Sequence, residues 1–255
     1  MTDPFVPAPS GLRTAPGPDA AMQRPGQAPA GGWRTATVRE VAHPTPRTAM
    51  IRLEVPDRVD HLPGQHYVVR LTAPDGYTAS RSYSVASPPS DPLVELLVER
   101  LDDGEVSGFL ADVLAPGDAL EVRGPIGGWF VWDADRPAVS LGGGTGVVPL
   151  VAMLRHARDR GRPELFTMVA AAARWADLPY AEELAAAGAR IVLSREDRPG
   201  RPAGRVGPDD LPDLTAGPTV FVCGSAAFAE AASSLAVRAG ADEDSVRVER
   251  FGPSG

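Results

Sequence analysis

Arg81-Ser82-Tyr83-Ser84 places a cation, an aromatic plane and two hydroxyls within the reach of one short strand. Alternate residues of a strand share a face, so Arg81 and Tyr83 point the same way about 7 Å apart. That spacing suits a flat ring joined to a phosphate by a short polyol. Tyr83 would cover the apolar face of the ring, Arg81 would pair with the phosphate, and Ser84 would offer a hydroxyl or amide to the ring edge. The chemistry is that of a flavin nucleotide site, although an ordinary strand with an exposed arginine and a half-buried tyrosine carries the same letters. Further along, Gly142-Gly143-Gly144-Thr145-Gly146-Val147-Val148-Pro149 offers backbone amides with no side chains in the way. Where a strand gives way to a helix, free amides and the helix dipole favour an anion. Glycine permits close approach, Thr145 adds a hydroxyl donor, and Pro149 fits the first turn of a helix. The pyrophosphate of a dinucleotide meets those terms; a tight turn also needs glycine, but not three in succession.

Two kinds of structure are needed to position these residues. From Trp33 to about Arg136 the pattern is of short strands: Thr35 to Val41, Ala49 to Val55, Tyr67 to Leu71, Ser80 to Val85, Leu93 to Leu101 and Ala119 to Val122. Pro63-Gly64, Asp75-Gly76, Pro88-Pro89, Asp103-Gly104 and Pro116-Gly117 punctuate them, which predicts a small antiparallel β-barrel over residues 33–136. One helix is expected from Ser107 to Leu114, with Ser107 as its cap. Beyond Ala138, strands (139–141, 165–170, 190–193, 219–222, 246–251) alternate with helices (147–158, 179–187, 226–239). In the first of those helices Leu150, Val151 and Leu154 share a face opposite Arg155 and Arg158. The alternation predicts an α/β domain over 137–255, a Rossmann-like parallel sheet with helices on both faces and ligands at the carboxyl ends of its strands. The glycine loop, Ser194 and Cys223 all fall at such ends. Residues 1–32, rich in Pro, Ala and Gly, read as a disordered tail.

Composition excludes several chemistries. All 25 basic side chains are arginine, so a Walker-type loop and a Schiff-base mechanism lack their lysine. The single cysteine, Cys223, allows neither an internal disulfide nor a four-cysteine 2Fe-2S cluster on this chain. The four histidines show no metal-ligand spacing. A net charge of −8 with scattered arginines argues against nucleic acid as a partner. No apolar run nears the roughly 20 residues of a membrane span, and the first segment is unlike an export signal, so no membrane insertion and a cytoplasmic location are expected.

From Trp33 to the C-terminus the sequence resembles the ferredoxin-NADP reductase superfamily. The Arg-x-Tyr-Ser flavin motif of that family is matched by Arg81, Ser82, Tyr83 and Ser84, and its Gly-x-x-Ser element by Gly104-Glu105-Val106-Ser107, where such enzymes hold the FAD pyrophosphate. Gly124-Pro125-Ile126-Gly127-Gly128 is similar to the stretch that closes the barrel, and Gly144 to Pro149 to the NAD(P) loop. Val222-Cys223-Gly224 corresponds to the Cys-Gly near the nicotinamide. The resemblance implies that Ser84, Cys223 and Glu249 stand at the reacting rings. It assigns flavin binding to Arg81, Ser82, Tyr83, Ser84, Gly104, Val106, Ser107 and Phe251. NAD(P) binding falls to Gly143, Gly144, Thr145, Gly146, Ser194, Arg195, Cys223 and Gly224. Ser194 and Arg195 resemble the pair that grips the NADP 2'-phosphate; Arg201 and Arg205 read first as part of a solvated loop, with helpers to that pair as the alternative. Glu196 and Asp197 would oppose a phosphate if they faced it, which leaves NADPH and NADH both open. Plant-type members end on an aromatic residue that covers the flavin, whereas here Phe251 is followed by four more residues, which must turn aside or reach over the adenine half if Phe251 shields the ring.

The activity implied is an FAD-dependent oxidoreductase that takes hydride from NADPH or NADH and passes electrons to a separate acceptor. That acceptor would be a ferredoxin, an oxygenase component, a haem or molybdenum protein, or a free electron carrier, and any iron-sulfur centre would lie on it. Two other readings stay open at this point: a reductase of free diffusible flavin, and a non-enzymatic FAD-containing electron-transfer or sensory subunit that does not use a nicotinamide.

Overall fold

The computed structural model describes residues 32–251. The expected tail lies outside the described residues except for Gly32, as do the four residues after Phe251. Six antiparallel strands come first: β1 (Arg34–Thr45), β2 (Thr48–Glu54), β3 (His66–Thr72), β4 (Thr78–Ser84), β5 (Val94–Glu99) and β6 (Ala119–Ile126), in the order β4-β3-β6-β1-β2-β5. The sheet curls until its two edge strands meet. Val85, just beyond β4, bridges to Leu96 of β5, and the Ala86 amide donates to the Glu95 carbonyl at 2.8 Å. Val38, Ile51, Leu53, Tyr67, Val69, Leu96, Val98, Leu120 and Val122 fill the barrel, the alternation that a one-sided strand dictates. Helix α1 (Glu105–Asp112) adds Val106 and Leu110 to that core.

The second sheet is parallel throughout. Strands β7 (Ala138–Gly143), β8 (Phe166–Ala172), β9 (Arg190–Leu193), β10 (Thr219–Ser225) and β11 (Val246–Phe251) lie in the order β11-β10-β7-β8-β9. Helices α2 (Val148–Asp159) and α3 (Ala181–Ala186) cover one face, where Leu150, Met153, Leu184, Met168 and Phe221 pack. Helix α4 (Ala226–Arg238) covers the other, over Leu141, Val220, Val222 and Val248. Chain order reverses between β7 and β10, and a crevice opens at such a switch point, outside the carboxyl ends of the strands. Every expected strand is present.

Two local expectations are corrected. Helix α1 starts two residues before Ser107, with Gly104 as its cap residue and no side chain capping it. The Ser107 hydroxyl instead accepts from the Leu101 amide at 3.2 Å and donates to the Gly104 carbonyl at 3.3 Å, tying the turn from inside. Glu105 is favourable in the first turn, and Gly104 fits the cap position because a side chain there would meet Ser107 and Leu101. The glycine run is also divided differently. Gly142 and Gly143 continue β7, paired in register with Ala170 and Ala171 of β8. Only Gly144–Val147 leaves the sheet, as one 3-10 turn.

Candidate functional site

On β4 the polar residues stand at an edge of the barrel. Arg81 is exposed; its Nη1 donates to the adjacent Ser80 carbonyl at 2.8 Å, and no carboxylate pairs with it among the described residues. Tyr83 is half-buried against the barrel core, and burial pushes its phenol up to about 12, so the ring stays neutral. Ser82 is exposed, and Ser84 is buried opposite His66 in the register with β3. Nearby, α1 packs against β4 and β5. Its uncapped first turn leaves backbone N–H groups without intrahelical acceptors. A side chain at Gly104 would collide with the Ser107 hydroxyl and lie 2.9 Å from Leu101 Cβ, so Gly104 keeps the backbone close to that turn. A free arginine, a neutral aromatic face and bare helix amides form a donor set that fits a flavin and its phosphates.

The glycines of the other half are mostly claimed by the protein. A methyl on Gly142 would lie 2.9 Å from Leu150 and Val147, and one on Gly143 2.6 Å from the Phe228 ring. On Gly146 it would run into the Cys223 carbonyl, with Gly224 Cα 2.6 Å away. Gly146 thus seats the 3-10 turn directly on the Cys223-Gly224 backbone across the switch point. Gly144 differs: its φ is +57° and a methyl there would meet nothing within 4 Å, so its surface is open. Thr145, expected to donate to a ligand, donates to Glu99 Oε2 of the barrel at 2.9 Å.

Cys223 and Glu249 are neighbours in the register of β10 and β11. Cys223 is fully buried, and burial first, then the Glu249 carboxylate, pushes its thiol well up. Burial also lifts the Glu249 carboxyl to about 7, and its Oε2 has no hydrogen-bond partner. A buried carboxyl oxygen without a partner, beside Cys223 towards the carboxyl end of β11, is open to a donor. Phe251, two residues on, packs against the cluster that contains Cys223. At the end of β9, Ser194 and Arg195 are exposed, with their amides bonded to Ala172 and Ala173 carbonyls. The neighbouring acids are already engaged: Glu196 accepts from the Trp175 amide at 2.8 Å and Asp197 from the Ala203 amide at 2.7 Å. Arg201 is held by Asp210 at 2.7 Å and Arg205 is bonded through its carbonyl, so Arg201 is not a free helper.

The two halves meet along β5. Its alternate residues 95, 97 and 99 face the second domain: Glu95 bonds Arg155 of α2, Leu97 packs with Val148, and Glu99 holds Thr145. Sequence reasoning misses Arg155. Periodicity groups it with Arg158 on a polar face, yet its side chain is only 17% exposed because α2 is wedged between its own sheet and the barrel. Among the described residues, no group of His, Cys, Asp and Glu is arranged to hold a metal ion, and no helix is long and apolar enough to cross a membrane.

Residues 35–131 match the oxidoreductase FAD-binding domain family. The chain is 28% identical over 231 residues to the ferredoxin–NAD(P)(+) reductase component of the naphthalene 1,2-dioxygenase/salicylate 5-hydroxylase systems of Ralstonia, covering 86% of this chain and 69% of that protein. It is 32% identical over 163 residues to the reductase component of propane 2-monooxygenase from Gordonia, covering 62% of this chain and 46% of the relative. Several curated relatives are, like that one, more than twice as long as the part matched. Among solved structures, the cytochrome P450 reductase of Amycolatopsis superposes with a TM-score of 0.74 at 30% identity, over 90% of this chain and 73% of that one. With a barrel and a switch-point sheet built as described, the chain belongs to the ferredoxin-NADP reductase superfamily of flavin oxidoreductases.

Proposed function

We propose that this protein is the reductase component of an electron-transfer system, with a flavin domain over residues 33–136 and a nucleotide domain from 137. It would draw hydride from NADPH or NADH and deliver electrons to a separate partner. One observation carries the reading: Gly146 seats the open Gly144 turn on Cys223-Gly224, while β5, bridged to the end of the Arg81–Ser84 strand, holds that same turn through Glu99. Bound FAD would supply the conversion of a hydride into single electrons. Arg81 would grip the flavin phosphate, the first amides of α1 with Gly104, Val106 and Ser107 would hold the pyrophosphate, and Tyr83 would lie on the ring. Ser82 and Ser84 flank that ring on the same strand. The open side of Gly144, with Gly143, Thr145 and Gly224, would receive the dinucleotide pyrophosphate. Ser194 and Arg195 are free to meet a ribose phosphate because Glu196 and Asp197 are turned onto amides. Glu249 holds a proton at neutral pH in part of its population, beside Cys223 and near Phe251, and offers it as a donor at the crevice.

The partner is inferred from relatives that are reductase components of naphthalene 1,2-dioxygenase/salicylate 5-hydroxylase systems and of propane 2-monooxygenase, and from a cytochrome P450 reductase. An oxygenase component, or a ferredoxin that feeds one, is the acceptor this supports best, since one cysteine cannot bind a cluster here. The test is steady-state transfer from NADPH or NADH to a one-electron acceptor such as cytochrome c. The rate should follow the amount of FAD retained. A protein that retains no flavin and works only when free flavin is added would overturn the proposal.

A further inference from the structure

Arg155 joins the two domains through a buried set of polar contacts that reaches the barrel and two helices of the second domain. Its Nη1 donates to the Ala86 carbonyl at 3.0 Å and to Glu95 Oε1 at 2.9 Å, both on the barrel. Its Nε and Nη2 grip both oxygens of Glu183 on α3 at 3.0 and 2.7 Å. Glu95 is 9% exposed, and it also accepts from the Tyr180 hydroxyl at 2.9 Å. Tyr180 has φ 60° and ψ 21°, the left-handed region that an aromatic residue seldom adopts, and its ring centroid lies 5.0 Å from the Arg155 guanidinium. The strain at Tyr180 is maintained by the contacts it makes possible.

The position of this cluster gives it meaning. Ala86 lies two residues beyond Ser84, and α2 is the helix that follows the Gly144–Val147 turn. One guanidinium therefore ties the end of the flavin strand to the helix that carries the nucleotide loop. The other polar tie along β5, Thr145 to Glu99, is exposed and yields readily to water or a ligand. A fork–fork arginine buried between two carboxylates resists rotation in a way a single exposed bond does not.

We infer that Arg155 is a positioning residue that fixes the angle between the barrel and the parallel sheet, through Ala86, Glu95 and Glu183, and thereby the approach of the nicotinamide to the flavin. The inference rests on the proposed function for its second half only. Misplacing reactants by about 1 Å costs of order 100-fold in rate, so an unlocked angle should show in the chemical step rather than in donor affinity.

The experiment uses the FAD-loaded full chain carrying Arg123→Cys on exposed β6 and Glu230→Cys on exposed α4, each spin-labelled; buried Cys223 is shielded from the label. Pulsed dipolar spectroscopy should give a narrow distance distribution for this parent, a broadened or shifted one for Arg155→Ala, and an intermediate one for Arg155→Lys. Stopped-flow flavin reduction at saturating donor should fall about 10- to 100-fold in Arg155→Ala with flavin content unchanged. A distribution as narrow as the parent's, or an unchanged saturating rate, would overturn the inference. Should Arg155→Ala fail to fold, Tyr180→Phe, which removes one hydroxyl, is read by the same two measurements. If neither donor reduces the parent's flavin, the proposed function fails on its own, and the distance distributions still decide whether Arg155 sets the angle.

Discussion

The Arg81–Ser84 strand and the Gly142–Gly146 segment present opposite kinds of surface. On β4 the polar side chains are idle: among the described residues Arg81 bonds only the adjacent Ser80 carbonyl, and Ser82 is exposed. Around the glycine loop the backbone is busy: Phe228, Leu150 and the Cys223 carbonyl occupy the places where side chains would be. A motif of side chains is thus free to bind, whereas a motif of glycines first builds the fold and leaves only Gly144 open. Substitutions in the two regions should fail in different ways, one losing a ligand and the other losing structure.

Gly146→Ala is expected to have the largest effect. Its methyl meets backbone rather than a flexible side chain, so the turn must lift off Cys223-Gly224, at a cost of about 1–3 kcal/mol or more in denaturant unfolding and with loss of donor-driven flavin reduction. A variant with wild-type stability would remove the claim that this glycine serves the fold. Arg81→Ala comes next and should do the reverse. Stability should stay within about 0.5 kcal/mol, while the flavin dissociation constant rises about 10- to 100-fold, the value of a charge-assisted phosphate contact. Full flavin retention after gel filtration would contradict it.

Glu249 gives a pH signature. Burial raises its carboxyl from 4.5 to about 7, so the folded protein holds that proton more tightly than the unfolded chain does. The resulting stability is complete below about 4.5 and is lost as pH rises through about 7. His61, His66 and His156 are shifted down by burial and act in the opposite direction as pH falls, so the difference between variants is the useful quantity. Glu249→Gln should be less sensitive than wild type between those limits and more stable than it at pH 8, by about 3 kcal/mol. Parallel stability curves for the two proteins would rule out a buried proton at this site. Gly144→Ala should destabilise less than Gly146→Ala, by about 1 kcal/mol for its positive φ, yet should weaken donor binding. If it destabilises as much as Gly146→Ala, the contrast within the loop collapses.

Strand placement is legible in the sequence because one-sided strands alternate and parallel buried strands do not, and Val38, Ile51 and Leu53 against Val220 to Cys223 follow those two patterns. The pair of motifs and the switch near residue 136 are legible for the same reason. Other features depend on contacts that no local pattern records. The apolar stripe of α2 is visible, but periodicity says only which residues prefer burial, not that a second domain covers the polar side and encloses Arg155. The hydroxyl of Thr145 reads as a ligand donor because Glu99, far away in sequence, cannot be seen beside it. Ser107 fits the cap preference by type, yet Gly104 takes the cap position because the turn at Leu101 leaves no space for a side chain there.

The central claim is that the two motifs form one redox site across the domain interface. Anaerobic titration of the flavin-loaded protein with NADPH, and separately with NADH, tests it most directly through the visible absorbance of the bound flavin. Bleaching by at least one donor is expected at about one equivalent per flavin, lost in Gly146→Ala even when flavin is retained. A flavin that neither donor bleaches, in protein that holds it fully, would contradict the claim.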